Sequence, residues 1–366
     1  STYVGRDSEL TQLADALARA RNGVSVGDLV AEPGLGKTRL VFEFLNRLPR
    51  DQIDLLTGYC FADRQQVPFL PILEIVRTAF RIKDQDNPTR IAYKIETGLK
   101  AWECFSQQNL GLLMNLLGLT PPPDALDGLD GVLIGLRTRE LLPELLKARC
   151  AKQPVILFIE DSHWIDSASE ELLQGIVNRS DLSNLLLIQT HRPEYTPAWR
   201  DDDKVRTIAL KPLVTEDFAN LARNRLGVTT LPVGLDRQLA ERAGGNPLFG
   251  EEILTYLLEH GSLRVEAAEA HLDIDMAQAD LPASMLNLLT ARVDRLSTED
   301  RDLLQAAAVI GRRFDPGLLS QLAKDPAETG DADPGRCAIN RYFQRLHAPS
   351  LLSAGAQQRY GAADIV

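Results

Sequence analysis

The segment AEPGLGKT, residues 31–38, restricts the fold of this chain more than any other part of the sequence. It follows a strand-length apolar run at residues 24–31 and precedes a segment of helical periodicity at residues 37–48. A glycine-rich turn between a strand and a helix points main-chain N–H groups at an anion, and the helix N-terminus adds a partial positive charge. Lys37 is then placed to bridge the β- and γ-phosphates of a nucleotide, and the Thr38 hydroxyl is placed to bind Mg²⁺. The segment predicts a phosphate-binding loop; the alternative is a Gly-Pro turn before an unrelated helix.

Strand-length apolar runs alternate with amphipathic helical segments over the first 210 residues. The runs lie at residues 24–31, 53–59, 155–159, 185–188 and 205–210. Because this alternation is typical of a parallel sheet covered by helices, we predict an α/β fold with a mostly parallel sheet for residues 1–210. A long helical insertion is expected at residues 70–150. Gly27 and Asp28 lie inside the first run and are expected to weaken that strand.

Charged side chains follow two of the buried runs. Glu160 and Asp161 come directly after the run at 155–159, and Arg192 follows the run that begins at Leu185. The carboxyl ends of parallel strands meet at the edge of the sheet where ligands bind. Glu160 is therefore placed to hold Mg²⁺ through water, Asp161 to orient or deprotonate an attacking water, and Arg192 to reach a γ-phosphate. The alternatives are a strand that runs into a polar turn and a surface arginine before a proline.

The remainder of the chain reads as helical. Residues 211–275 show no convincing strand and are predicted to form one helical domain. Residues 276–366 are predicted to form another, in which Leu286, Leu289 and Val293 lie on one helix face. The last residues look like the beginning of an element, so this third domain is expected to be incomplete.

The composition of the 366 residues argues against several classes of protein. A formal net charge of −11 and an isoelectric point near 5.1 argue against general electrostatic binding to nucleic acid or to an anionic membrane. No apolar run is long enough for a transmembrane helix, and the polar start predicts no signal peptide. The four cysteines form no CxxC pair, which predicts neither a disulfide framework nor a zinc ribbon and favours the cytoplasm.

Five motifs occur in an order typical of one family. They are YVGRDSE at residues 3–9, EPGLGKTRL at 32–40, EDSHWID at 160–166, THRPE at 190–194 and GNPLFGEE at 245–252. With these motifs the chain resembles the signal-transduction ATPases with numerous domains, a branch of the AAA-like P-loop NTPases. Its subtype is similar to the modules joined to class III adenylate or guanylate cyclase domains, or to LuxR-type and tetratricopeptide regions.

The resemblance implies a P-loop NTPase fold that binds ATP or ADP with Mg²⁺. It assigns residues 1–210 to the nucleotide-binding domain, residues 211–275 to a helical lid and residues 276–366 to a truncated winged-helix domain. No cyclase catalytic domain and no tetratricopeptide array is present in the sequence, so any such activity would belong to a larger parent protein.

The resemblance also implies roles for individual residues. Arg192 would be the first sensor, Val4 and Arg6 would lie beside the adenine and ribose, and Pro247 in the lid would touch the base. Without the resemblance, Val4 is a small apolar anchor and Pro247 a first-turn proline. His163 follows the acidic pair, and both a phosphate contact and simple packing stay open for it. The other loop positions implied to contact nucleotide are Pro33, Gly34, Leu35, Gly36 and Arg39.

Three functions fit these observations. The first is an ATP·Mg-binding switch with slow hydrolysis that controls an attached signalling domain, with a nucleotide-dependent homo-oligomer left open. The second is a DNA-binding regulator that acts through the winged helix; residues 282–366 carry ten Lys or Arg and ten Asp or Glu, so that segment lacks a basic excess. The third is a scaffold that holds ADP or ATP without turnover.

Overall fold

The computed structural model describes residues 3–49, 52–266, 268–272 and 284–294, with six further positions between 296 and 308. The chain divides into two compact units. Gly5–Lys211 form the first unit, and the second contains the chain from Pro212 onward together with the residues before Gly5.

A five-stranded parallel sheet forms the centre of the first unit. The strands are β1 (Val24–Val30), β2 (Asp54–Tyr59), β3 (Val155–Glu160), β4 (Leu185–His191) and β5 (Val205–Ala209). Their order across the sheet is β2-β3-β4-β1-β5, and every pairing is parallel. The predicted α/β class with a parallel sheet is therefore confirmed, and each of the five strands begins within one of the predicted apolar runs.

Helices cover both faces of this sheet. They are α1 (Asp7–Ala20), α2 (Lys37–Asn46), α3 (Leu70–Ala79), α4 (Pro88–Ala101), α5 (Gln107–Leu116), α6 (Gly131–Lys152) and α7 (Ser167–Val177), with 3-10 turns at Ala62–Arg64 and Ser162–Trp164. On one face Gly27 allows α1 to approach closely, because a Cβ there would stand 3.0 Å from Cδ2 of Leu13. On the other face Leu173 of α7 belongs to the same buried apolar cluster as Val24 and Leu157. Helices α3 to α6 occupy the predicted helical insertion and add a second apolar cluster.

The expected weakness of the first strand is not observed. Strand β1 is seven residues long and lies between β4 and β5. Asp28 is only 1% exposed, yet its carboxylate accepts hydrogen bonds from Gln189 Nε2 (2.7 Å), His191 Nε2 (2.8 Å) and Thr207 Oγ1 (3.4 Å). A buried polar side chain is tolerated when it is hydrogen-bonded in this way, so the two flanking strands supply the partners that the sequence pattern alone does not reveal.

Among its described residues, the second unit contains three helices, a hairpin and one further helix. These are α8 (Thr215–Leu226), α9 (Leu235–Ala243), α10 (Pro247–Glu259), β6 (Leu263–Glu266), β7 (Glu269–Leu272) and α11 (Met285–Asp294). A buried apolar cluster that includes Phe218, Leu239 and Leu254 holds α8, α9 and α10 together.

The antiparallel pair β6–β7 corrects the expectation that residues 211–275 contain no strand. Each strand has only four residues, and half of each is polar, so neither makes an apolar run long enough to be recognised. Helix α11 coincides with the predicted amphipathic segment. Most of the predicted winged-helix domain, residues 276–366, lies outside the described residues.

Candidate functional site

The predicted phosphate loop connects β1 to α2 in a compact turn. Leu35 N donates to Glu32 O at 3.4 Å. Gly34 and Gly36 have φ angles of 82° and 90°, in the left-handed region that glycine adopts without steric cost. Gly36 is the N-cap of α2, and no side chain caps that helix end. The first N–H groups of α2 therefore keep their capacity to bind an anion.

The Lys37 ammonium is turned back over this loop. Lys37 is 9% exposed, and its Nζ donates to Ala31 O at 2.6 Å and to Glu32 O at 3.3 Å. Burial lowers the pKa of Lys37, while the negative charge of Asp161 opposes the shift. The charge of Arg192 also acts on this ammonium. A cation is thus held inside the loop that the sequence predicted to bind phosphate.

The two predicted metal ligands lie within hydrogen-bond distance of each other. Thr38 is the second residue of α2, directly after Lys37, and Glu160 is the last residue of β3. Thr38 Oγ1 donates to Glu160 Oε1 at 2.6 Å. A hydroxyl and a carboxylate are oxygen ligands that suit Mg²⁺, which usually keeps several waters and phosphate oxygens as its other ligands. In the described part of the chain no group of three or more His, Cys, Asp or Glu side chains could hold a metal by itself.

Asp161 takes a strained backbone conformation next to this pair. Its φ is 56°, in the left-handed region, which a non-glycine residue occupies at a cost. The end of β4 holds it there, because Asp161 N donates to Thr190 Oγ1 at 3.1 Å and Ser162 Oγ donates to Thr190 O at 3.3 Å. The carboxylate is thereby brought into electrostatic contact with Lys37.

Arg192 follows β4 at the same edge of the sheet. Its carbonyl oxygen faces His191 Nδ1 at 2.7 Å, so the buried ring fixes the backbone from which the Arg192 side chain leaves. The guanidinium acts electrostatically on both Lys37 and His163. The structure thus brings Lys37, Asp161 and Arg192 together, as the strand-edge argument predicted.

Residues 2–188, which carry the loop and the acidic pair, match the family model described as AAA ATPase domain, and this is just over half of the chain. The chain belongs to the AAA ATPase domain family. A second family model, a domain of unknown function (DUF8739), matches residues 215–271.

An uncharacterized protein of Rhizobium meliloti (strain 1021) is 28% identical over 369 residues, covering 96% of this chain and 34% of that protein. The chain thus spans about a third of the length of this curated relative. Among solved structures, two variants of Thermotoga maritima RuvB align at 14% and 12% identity, each with a TM-score of 0.38. The alignments cover 93% and 94% of this chain and 88% of each RuvB chain.

His163 of the AAA domain is a residue that the sequence analysis did not count among the site residues. It lies in the 3-10 turn after Asp161, and its ring contacts Trp164 at a centroid distance of 5.0 Å. Both ring nitrogens are buried and have no hydrogen-bond partner in the described part of the chain. Burial lowers the pKa of His163, and the charges of Asp161, Arg192 and Lys37 act on the ring. The only sequence signal was its place two residues after the acidic pair.

The remaining predicted residues are divided between the two units. Arg6 has a φ of 113°, and its guanidinium donates to Glu9 Oε1 (3.1 Å) and Lys211 O (2.5 Å). Val4 and Pro247 belong to the second unit, where Pro247 is the first residue of α10. Within the loop region Pro33 is exposed, Leu35 is buried, and Arg39 lies half-buried in the first turn of α2.

No helix in the described part of the chain is both long and apolar enough to span a membrane.

Proposed function

We propose that the AAA domain is an ATP·Mg-binding switch with slow hydrolysis, and that it controls a signalling domain attached elsewhere in the parent protein. The observation that carries this proposal is the 2.6 Å hydrogen bond to Glu160 from Thr38, the residue that follows Lys37. This bond joins the helix that follows the phosphate loop to the acidic end of β3, and so unites the parts that phosphoryl transfer requires.

The residues present fit a nucleoside triphosphate. The N-terminal N–H groups of α2 and the Lys37 ammonium favour phosphate oxygens, and Thr38 with Glu160 would hold Mg²⁺. When bound, the nucleotide and its cation supply a polarised terminal phosphoryl group. Asp161 would accept the proton of a water placed in line with that group, and Arg192 would stabilise negative charge on its oxygens.

The family resemblance supports the rest of the assignment. Val4, Arg6 and Pro247 would contact the base and ribose, and the loop contacts would come from Pro33, Gly34, Leu35, Gly36 and Arg39. Residues 1–210 would bind nucleotide, residues 211–275 would act as a lid, and residues 276–366 would form an incomplete winged helix. The parent would be a cytoplasmic member of the signal-transduction ATPases with numerous domains, of the type joined to cyclase or LuxR-type modules. The greater length of the Rhizobium relative leaves room for such a domain.

Titration with a fluorescent ATP analogue and Mg²⁺ tests the binding part of this proposal. Lys37→Ala is expected to weaken binding at least about tenfold, because a charge-assisted contact to phosphate is lost. Lys147→Ala is the matched control, since Lys147 lies on α6 with a 43% exposed side chain paired to Asp181. Equal affinity in the Lys37 and Lys147 variants would contradict the assignment of the loop.

Phosphate release separates a switch with turnover from a non-hydrolysing scaffold. Asp161→Asn keeps the side-chain volume and tolerates the left-handed backbone, but it cannot accept the proton of a water. Wild-type protein is expected to release phosphate slowly and the variant to fall to the blank rate. If both rates equal the blank while nucleotide still binds, the scaffold is the better description.

A further inference from the structure

The imidazole of His163 is the least explained polar group in the AAA domain. Nδ1 and Nε2 are both inaccessible to solvent, and neither has a hydrogen-bond partner in the described residues. Buried polar side chains nearly always have at least one partner. A ring with two unpaired nitrogens beside a candidate site therefore calls for a ligand that would pair with it.

The backbone around His163 is held in one conformation. Asp161 N and Ser162 Oγ are tied to Thr190 at the end of β4, and Trp164 N donates to Asp161 O at 2.9 Å. The His163 ring also packs beside Trp164. Since several independent contacts fix this turn, the backbone of His163 is set before any ligand arrives, and rotation of the side chain would bring a ring nitrogen to the ligand.

Charged groups around the ring indicate what that ligand is. Two cations, Lys37 and Arg192, and two carboxylates, Asp161 and Glu194, act on His163. Burial lowers its pKa, so at neutral pH the ring is uncharged and offers one N–H donor. A donor placed among a lysine, an arginine and an aspartate suits an anionic oxygen that arrives with a neighbouring water.

We propose that His163 donates a hydrogen bond to an oxygen of the terminal phosphoryl group of ATP, and that this contact makes the site prefer ATP to ADP. The inference rests on the proposed nucleotide-binding function. Lys37 and the α2 N-terminus serve the phosphates that ATP and ADP share as well as the terminal one. His163 would respond to the terminal group alone.

Isothermal titration with Mg²⁺ and either ADP or a non-hydrolysable ATP analogue tests this preference. His163→Ala is expected to weaken binding of the analogue about tenfold, since a hydrogen bond to a charged group is lost, and to leave ADP affinity within about twofold. His163→Gln keeps an N–H donor and is expected to fall between wild type and His163→Ala. His260→Ala, at an exposed histidine of the second unit, is the matched control and is expected to change neither affinity.

Thermal unfolding without nucleotide separates a ligand contact from a packing role. Replacing an unpaired buried ring by an apolar side chain is expected to leave the unfolding midpoint of His163→Leu unchanged or higher. A clearly lower midpoint would mean that the imidazole stabilises the fold and would overturn the proposal. If His163→Ala fails to fold, the ratio of the affinities of His163→Gln for the ATP analogue and for ADP tests the proposal in its place.

The outcomes distinguish this inference from the function on which it rests. One outcome is that wild-type protein binds both nucleotides while the His163 variants keep the same ratio of affinity for the ATP analogue to affinity for ADP. In that case only the role of His163 is overturned. Equal losses for ADP and the analogue overturn it as well. If wild-type protein binds neither nucleotide, the proposed function falls first.

Discussion

Replacing Asp28 by alanine is expected to lower the free energy of unfolding of the AAA domain by about 2–4 kcal/mol, because buried hydrogen-bond donors left without an acceptor cost about 1–3 kcal/mol each. Its carboxylate accepts from three side chains on two strands, at 2.7, 2.8 and 3.4 Å. His191 Nδ1 faces a carbonyl oxygen and Nε2 faces Asp28. Alanine would therefore leave the buried Gln189 amide and the buried His191 ring without this acceptor.

Urea unfolding followed by tryptophan fluorescence measures this effect on the first unit alone. All three tryptophans, Trp102, Trp164 and Trp199, lie within Gly5–Lys211. Asp28→Asn keeps one acceptor oxygen, so a smaller loss of about 1–2 kcal/mol is expected.

The matched control for Asp28→Ala is Ser25→Ala on the same strand. The Ser25 hydroxyl is buried and has no partner in the described structure. Its removal is therefore expected to be neutral or slightly stabilising. If Asp28→Ala costs under about 1 kcal/mol, no more than Ser25→Ala, the account of the buried hydrogen bonds to Asp28 is refuted.

Three further predictions concern the loop, the start of α7 and pH. Gly36→Ala places a side chain at a φ of 90° with no atom within 4 Å, so backbone strain alone is expected to cost about 1–2 kcal/mol in urea unfolding. Gly23→Ala is the control, because Gly23 has no positive φ, and it should cost less. Equal costs for the two variants would contradict a strained backbone at position 36. Asp166→Ala removes the N-cap of α7 and the acceptor of Phe69 N (3.0 Å), with an expected loss of about 1–2 kcal/mol in the same assay. An unchanged unfolding midpoint would contradict a stabilising role of this N-cap. The pKa of His163 is lowered from 6.5, so the unfolded chain binds the proton more readily and stability falls as pH drops below about 6.5. The thermal midpoint of His163→Gln should therefore fall less between pH 7 and pH 5.5 than the midpoint of the wild-type protein. Parallel curves for the two proteins would refute this.

The strands were predictable where apolar residues run together, and less so where the sheet buries polar ones. The run beginning at Leu185 predicted a strand that ends at Ile188, yet β4 continues through Gln189 and Thr190 to His191. Those residues are buried because Asp28 and the turn after β3 supply their partners. Because such partners come from distant parts of the chain, the local pattern of apolar residues does not predict them.

The candidate site shows the same division. Lys37, Thr38, Glu160 and Asp161 could be placed at one edge because parallel strands end together. The burial of the His163 nitrogens could not be foreseen, since it depends on how a three-residue turn packs after the strand.

The position of β1 between β4 and β5 has a consequence for synthesis on the ribosome. Asp28 and Gln189 are 161 positions apart in the chain, and at about 5–20 residues per second roughly 8–30 s separate their translation. During that interval both edges of β1 lack their neighbours and its carboxylate lacks its donors. The strand that leads into the phosphate loop is thus synthesised early, but its pairing with β4 and β5 can form only late. We expect chaperones to bind this unpaired strand during translation.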